Sequence, residues 1–206
     1  MSGKKPIFVT GIDTGIGKTL VAAILTEKLK ADYWKPVQAG DLGACDTQKV
    51  KSLVSNTLSV FHPETYRLSQ PFSPHKAAAI DKIKIDPEKF IMPVTDNQLI
   101  IEGAGGLMVP LCDDFLIIDL IKKLDAEVVL VSKNYLGSIN HTLLSVLALK
   151  QYRIPVRGIV FNGQKDIYSK TFILEYSGYN ELGHINNLDK IDRKAVTDSL
   201  NLITLS

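Results

Sequence analysis

What this chain has little of narrows its nature before any motif is read. Only two cysteines occur, Cys45 and Cys112, and they follow no metal-ligand spacing. A disulfide framework and a thiolate metal site are both excluded, and the two thiols read as structural side chains in a reducing compartment. The four histidines, His62, His75, His141 and His184, also lack ligand spacing and read as structural. No apolar run reaches the roughly 18 residues that a membrane-crossing helix needs. No secretory or lipid-attachment signal is present either, so a cytoplasmic protein without a membrane partner is expected. An excess of one charge is missing as well. The formal net charge is +2, with no block of like charges, which speaks against a nucleic-acid groove. No internal repeat, low-complexity tract or linker interrupts the chain, so residues 1–206 read as a single domain.

What is present is an ordinary globular balance of 45% hydrophobic and 22% charged residues, arranged in alternation. Apolar strand-like runs cover residues 6–10, 33–37, 98–101, 127–132 and 156–161, with a last short one at 183–185. Helix-like runs lie between them at 20–30, 46–56, 114–124, 138–151 and 166–176, and a short one follows Pro87 to Met92. Residues 62–75 hold Pro63, Pro71 and Pro74 and read as a surface loop. The continuous apolarity of 127–132 fits a strand covered on both faces. Repeated alternation of this kind predicts an α/β fold, a mostly parallel sheet with helices on both faces. Ligands in such sheets bind beyond the C-terminal strand ends. The unusual polar and glycine-rich segments, at 11–19, 38–46, 102–106, 133–140 and 162–163, all follow strands.

The most informative of these segments is Gly11-Ile12-Asp13-Thr14-Gly15-Ile16-Gly17-Lys18-Thr19. It follows a strand-like run and opens a helix-like one, the context a phosphate loop requires. Glycines let successive backbone N–H groups turn inward around phosphate oxygens, and the helix N-terminus adds partial positive charge there. Lys18 would reach the β- and γ-phosphates of a nucleotide, and the Thr19 hydroxyl would ligate Mg²⁺. Five residues, not the usual four, separate Gly11 from Gly17. The Gly-Lys-Thr end that carries the chemistry is intact.

Other polar residues fall at strand ends. Lys35 precedes Pro36 and would supply a second cation beside the loop. Glu102 ends an apolar strand just before Gly103-Ala104-Gly105-Gly106, the position of a metal-holding acid. Asp46 and Asp41 compete for a third metal position, and Asp46 also stands where it could cap a helix. Ser138 and Asn140 open a long helix and suit either capping or a carboxylate ligand. Asn162 offers a nucleobase both a donor and an acceptor. Trp34 reads as core.

Taken together, several segments resemble the dethiobiotin synthetases, ATP-dependent ligases of biotin synthesis. Gly11 to Thr19 meets their Gly-x-Asp-Thr-x-x-Gly-Lys-Thr pattern, long spacing included. Lys35-Pro36-Val37, Ser73-Pro74-His75, Glu102-Gly103-Ala104-Gly105-Gly106 and Leu136-Gly137-Ser138-Ile139-Asn140-His141 are similar to further family segments, in family order. The resemblance implies a P-loop NTPase-like fold. It implies that Thr14, Lys18 and Lys35 surround the reacting carbamate and γ-phosphate. Gly15, Ile16, Gly17, Lys18, Thr19 and Leu20 would wrap the triphosphate of ATP, with Gly103, Ala104 and Gly105 alongside. Mg²⁺ would sit on Thr19, Asp46 and Glu102, and the base would meet Asn162 and Gly163. The implied substrates are 7,8-diaminononanoate, CO₂ or bicarbonate, and ATP. The diamine would lie among Thr14, Lys35, Ala39 and Gly105 of one subunit of a homodimer. Leu136, Gly137, Ser138 and Asn140 of the other subunit would hold its carboxylate.

The chain also departs from the family pattern. Many members carry glutamate where Gly15 stands and serine or threonine where Ala39 stands. Proline usually follows the segment matching Gly183-His184-Ile185, and here Asn186 does. The alternative function is a switch ATPase of the partitioning or septum-placement type, which shares the sheet and a similar loop. Such proteins usually carry an additional lysine early in the loop, where this chain has Ile12, Asp13 and Thr14.

Overall fold

The structure is a computed structural model and describes residues 4–205. Its first half runs β1 (Ile7–Gly11), α1 (Lys18–Leu29), β2 (Asp32–Trp34), β3 (Val37–Ala39), α2 (Asp46–Leu53), β4 (Phe61–His62), β5 (Tyr66–Leu68) and α3 (Pro74–Ile80). The second half runs β6 (Leu99–Gly106), β7 (Pro110–Cys112), β8 (Phe115–Leu116), α4 (Ile117–Lys123), β9 (Glu127–Lys133), α5 (Ser138–Gln151), β10 (Val156–Asn162), α6 (Ile167–Ser177), β11 (Glu181–Ile185) and α7 (Arg193–Asp198).

Seven strands form the central sheet in the order β11-β10-β9-β1-β6-β2-β4. Every pairing in it is parallel. All strand ends therefore point the same way, and the segments after them crowd one edge of the sheet. β1 sits between β6 and β9, so the chain's progress across the sheet reverses beside it. That reversal opens a crevice outside the strand ends, where ligands of such sheets bind. β1 and the interior of β9 are wholly buried, the burial a two-sided sheet gives its central strands. Helix α5 has the bounds that the sequence predicts, because Gly137 takes the left-handed conformation just before it (φ 100).

Several elements differ from expectation for physical reasons. The run 33–37 is not one strand. Pro36 lacks the N–H that a ladder needs, so β2 stops at Trp34. The chain then steps out, and β3 pairs with β5 in a separate two-stranded sheet. That partner strand lies inside the stretch 62–75 read as loop. It alternates, with Tyr66 and Leu68 buried and Arg67 exposed. Asp46 does not cap α2. Cys45 holds the capping position, its N–H donating to Gln48 Oε1 at 3.3 Å, and Asp46 is the first helical residue. The run 87–92 makes only one 3₁₀ turn, Pro87–Lys89, capped by Asp86. The run 114–124 first pairs β8 with β7 and becomes helical at Ile117. The strand expected to close at Ile101 continues as β6 to Gly106. In the tail, α7 packs on α1, and Ile203 bridges to Gly183 on the outer side of β11.

Trp34 is core, and its indole N–H donates to the Pro63 carbonyl at 3.1 Å. Cys45 is buried, Cys112 half-buried, and both are free thiols. Among the described residues no helix is long and apolar enough to cross a membrane.

Candidate active site at the sheet edge

The phosphate loop leaves β1 at Gly11 and enters α1 through Gly17. Gly17 has a φ of 99, a conformation that residues with a Cβ rarely adopt. A Cβ there would also drive into the Asn162 amide. No side chain caps α1 and no acid stands in its first turn. Its N-terminal N–H groups are thus left for an anion. Lys18, the first residue of α1, is buried and folds back so that Nζ donates to the Asp13 carbonyl at 2.7 Å.

Burial lowers the Lys18 pKa to about 8; Glu102 opposes that shift and the Lys35 charge adds to it. A triphosphate beside this ammonium would favour its charged form. Nucleotide binding at pH 8 is therefore expected to take up a fraction of a proton, and to take up almost none at pH 6. Calorimetry in buffers of different ionisation enthalpy measures this; equal uptake at both pH values contradicts the assignment of Lys18 to the phosphates.

The second part of the site centres on Glu102 in β6, which is almost wholly buried. Its Oε1 accepts from the Thr19 hydroxyl at 2.8 Å and from Lys35 Nζ at 3.1 Å. Its Oε2 accepts from the Tyr33 hydroxyl at 2.8 Å. Lys35 in turn reaches Asp46 Oδ2 at 2.8 Å. Burial pulls the Lys35 pKa down, but Glu102 and Asp46 together hold it above the usual lysine value. Asp46 is held below the usual carboxylate value, chiefly by Lys35 working against burial. Asp41, the other candidate acid, is 73% exposed and only approaches Lys49, at 3.9 Å.

Glu102 thus joins the other two candidate ligands: Thr19 through a hydrogen bond, and Asp46 through the Lys35 ammonium that pairs with both carboxylates. A hydroxyl and two carboxylates suit Mg²⁺, which binds few protein oxygens and keeps waters or phosphate oxygens for the rest. Among the described residues no group of three or more His, Cys, Asp or Glu side chains forms a metal site of another kind.

The glycine-rich end of β6 runs beside the phosphate loop. Gly105 has a positive φ (+68), and a Cβ on it would lie 3.7 Å from Thr14 Oγ1. Thr14 is exposed there, and its N–H donates to Asp13 Oδ1 at 2.7 Å. Ala39 ends β3 half-buried, on the segment that carries Gln38 toward α2.

Across the edge, Leu136, Gly137 and Asn140 are exposed, while Ser138 is buried. No side chain caps α5, so neither Ser138 nor Asn140 serves as its cap. An open groove separates this helix from the loop, lined by Ile12, Asp13, Met108, Val109, His141 and Leu144. Asn162 ends β10, and its Nδ2 donates to the Ile16 carbonyl at 2.8 Å. Gly163 follows with a φ of 98; its carbonyl lies 2.8 Å from His184 Nε2.

Two residues of this network escape sequence reasoning. Tyr33 sits in an apolar strand and looks like plain core. Gln38 is buried, accepts from the Asp46 N–H at 3.1 Å and donates to the Gly40 carbonyl at 2.9 Å, fixing the start of α2. A glutamine two residues beyond Pro36 carries no signal of its burial in the sequence.

Residues 5–195 match the family model described as an AAA domain. The ATP-dependent dethiobiotin synthetase BioD of Cytophaga hutchinsonii is 50% identical over 194 residues, 94% of this chain and 94% of that protein. That of Christiangramia forsetii is also 50% identical, over 94% and 93%. That of Agrobacterium fabrum is 43% identical, over 91% and 89%. Among solved structures, the ParA family ATPase from Chlorobium tepidum matches with a TM-score of 0.55 at 15% identity, covering 97% of this chain and 99% of that one. The MinD cell division protein of Aquifex aeolicus matches with a TM-score of 0.54 at 14% identity, covering 96% of each. At such identities the two structures speak to the fold alone.

Proposed function

The chain belongs to the dethiobiotin synthetase family, built on the AAA-domain core that it matches, and from that membership we propose how its sheet edge works. It is an ATP-dependent ligase that forms C–N bonds to make dethiobiotin in biotin biosynthesis. Its substrates in this reading are 7,8-diaminononanoate, CO₂ and ATP. One amine takes up CO₂ to give a carbamate and a proton. A carbamate oxygen attacks the γ-phosphorus, and ADP leaves. The second amine attacks the carbonyl carbon of the mixed anhydride, phosphate leaves, and the ring closes.

Carbamate and triphosphate are both anions and repel. Lys18 and Lys35 screen that repulsion and hold the pair in reach of each other. The single observation that carries this reading is the buried Lys35, gripped by Glu102 and Asp46 at the same edge as the phosphate loop. Thr19, Asp46 and Glu102 would hold Mg²⁺, which when bound neutralises charge developing on the phosphates. Thr14 and Gly105 lie together where the loop meets β6 and would bound the diamine; Ala39 would bound it from β3.

The family's homodimer follows the same reading. Leu136, Leu144 and Leu147 project exposed from the α5 region, and Met108 does so across the groove. Apolar residues so gathered beside a site mark an interface. A second subunit there would bring its Gly137, Ser138 and Asn140 to the substrate carboxylate. A monomer found by sedimentation at micromolar concentration removes this part of the reading.

Asn162 refines the role of the base. One N–H of Nδ2 is committed to Ile16, which leaves the second N–H and Oδ1, a donor and an acceptor, to meet a nucleobase. The test is phosphate release with the diamine and bicarbonate across the four nucleoside triphosphates. Turnover that needs both co-substrates, with ATP accepted, is expected. Turnover independent of the diamine, driven instead by DNA or lipid, points to the switch ATPases and overturns the ligase reading.

A further inference from the structure

Glu102 divides its two oxygens between different tasks, and Tyr33 makes the division. Side chains alternate along a strand, so Tyr33 and its neighbours Asp32 and Trp34 face opposite sides of β2. Asp32 hydrogen-bonds to Val60, His62 and Asn97, and Trp34 to Pro63, all away from the phosphate loop. Of the three β2 residues, Tyr33 is the one that reaches Glu102. Its ring is fully buried and packs on Phe61 at 6.1 Å between centroids. A phenol buried only for packing needs some acceptor for its proton. This one takes Oε2, the carboxylate oxygen that faces neither Thr19 nor Lys35.

We propose that Tyr33 is a positioning residue: it pins Oε2 of Glu102 and so fixes the carboxylate with Oε1 turned toward Thr19 and the cation held there. The proposal rests on the reading of Thr19, Asp46 and Glu102 as the Mg²⁺ donors. Its chemical consequence is selectivity. Mg²⁺ demands near-octahedral geometry and suits a carboxylate binding through one oxygen, whereas Ca²⁺ accepts carboxylates through both. A carboxylate whose second oxygen is held by a buried donor must strain that hydrogen bond to turn into the two-oxygen mode. Groups that hydrogen-bond a metal ligand in this way typically change metal affinity about 10–100-fold when removed.

Tyr33→Phe keeps the ring and removes the donor. Mn²⁺ bound in the presence of ADP is counted by electron paramagnetic resonance and displaced with Mg²⁺ or Ca²⁺, a readout that needs no turnover. The expected result is Mg²⁺ displacement weakened about 10–100-fold while Ca²⁺ displacement changes much less, so that the discrimination shrinks. Trp34→Phe loses a part-buried hydrogen bond on the opposite face of β2 and leaves both displacements unchanged. Tyr33→His returns a donor and recovers part of the Mg²⁺ preference. Should the Phe variant not fold, Tyr33→Leu, which also lacks the donor, carries the test. Mg²⁺ and Ca²⁺ displacement at wild-type values in a folded Tyr33 variant that lacks a donor at this position overturns the positioning role alone. Mn²⁺ binding by the wild type that survives Thr19→Ala and Asp46→Asn together overturns the cation site itself, and the role of Tyr33 with it.

Discussion

Replacing Lys35 by alanine is expected to slow ring closure by about 10²–10³, the usual loss when a group stabilising developing charge is removed. The ammonium is 4% exposed and paired with two carboxylates, so it stays charged throughout the working pH range. The same pairing adds a second consequence. Without Lys35, Glu102 and Asp46 face each other with no cation between them, and breaking a buried pair in this way costs about 3–5 kcal/mol. The variant therefore loses stability as well as rate, and the two must be separated. Thermal melts in chelator and in Mg²⁺ do this. A divalent cation drawn to the two bare carboxylates raises the melting temperature of the variant more than that of the wild type. Lys35→Met, which keeps the aliphatic stem, isolates the charge from the cavity. Near-normal turnover by either variant, measured well below its melting point, removes Lys35 from the reaction.

The parts of this site that the sequence discloses are those with a local signal. Gly15, Gly17, Lys18 and Thr19 announce themselves because a phosphate loop needs glycine conformations and a lysine at fixed spacing. Glu102 is visible because an acid at the end of an apolar strand is out of place there. Lys35 is visible through the proline that follows it, although the same proline splits the strand into β2 and β3, which the apolar run concealed. The little sheet of β3 and β5 gave no signal. Its strands are three residues each, too short for a period to register, and Pro63 and Pro71 argued for loop. Tyr33 was hidden for a different reason. A tyrosine among apolar residues reads as core, and its partner lies 69 residues away along the chain. Asp46 was legible as an acid but not as the one that would meet Lys35, because only the step out at Pro36 and the grip of Gln38 bring α2 to that edge. The fold alone does not separate a ligase from a switch, since partitioning and cell-division ATPases share it at 14–15% identity. Relatives at 43–50% identity across nearly the whole chain do separate them.

Glu102→Gln is expected to be the most damaging single change, because this one carboxylate serves Thr19, Tyr33 and Lys35 at once. The amide keeps the shape but removes the charge, leaving buried Lys35 with Asp46 as its only counter-charge. A stability loss of about 3 kcal/mol is expected, with a rate loss on the order of 10³. Pairing it with Lys35→Met tests whether the two side chains act as one unit. Removing both charges relieves the imbalance that each single change creates. The double variant should therefore be more stable than the sum of the singles predicts, by about 1–3 kcal/mol. Activity should not recover with it, since groups that act together are lost together. Lys18 supplies an independent readout. Glu102 raises its pKa and Lys35 lowers it, from a position near 8. With Glu102→Gln alone, Lys18 is less protonated at pH 8, and nucleotide binding takes up more of a proton than in the wild type. With Lys35→Met alone it takes up less. In the double variant the two influences cancel and the uptake returns toward the wild-type value. Additive stability losses, together with proton uptake indifferent to both substitutions, mean that these charges do not share a site with Lys18, and the two-lysine account of anion pairing fails.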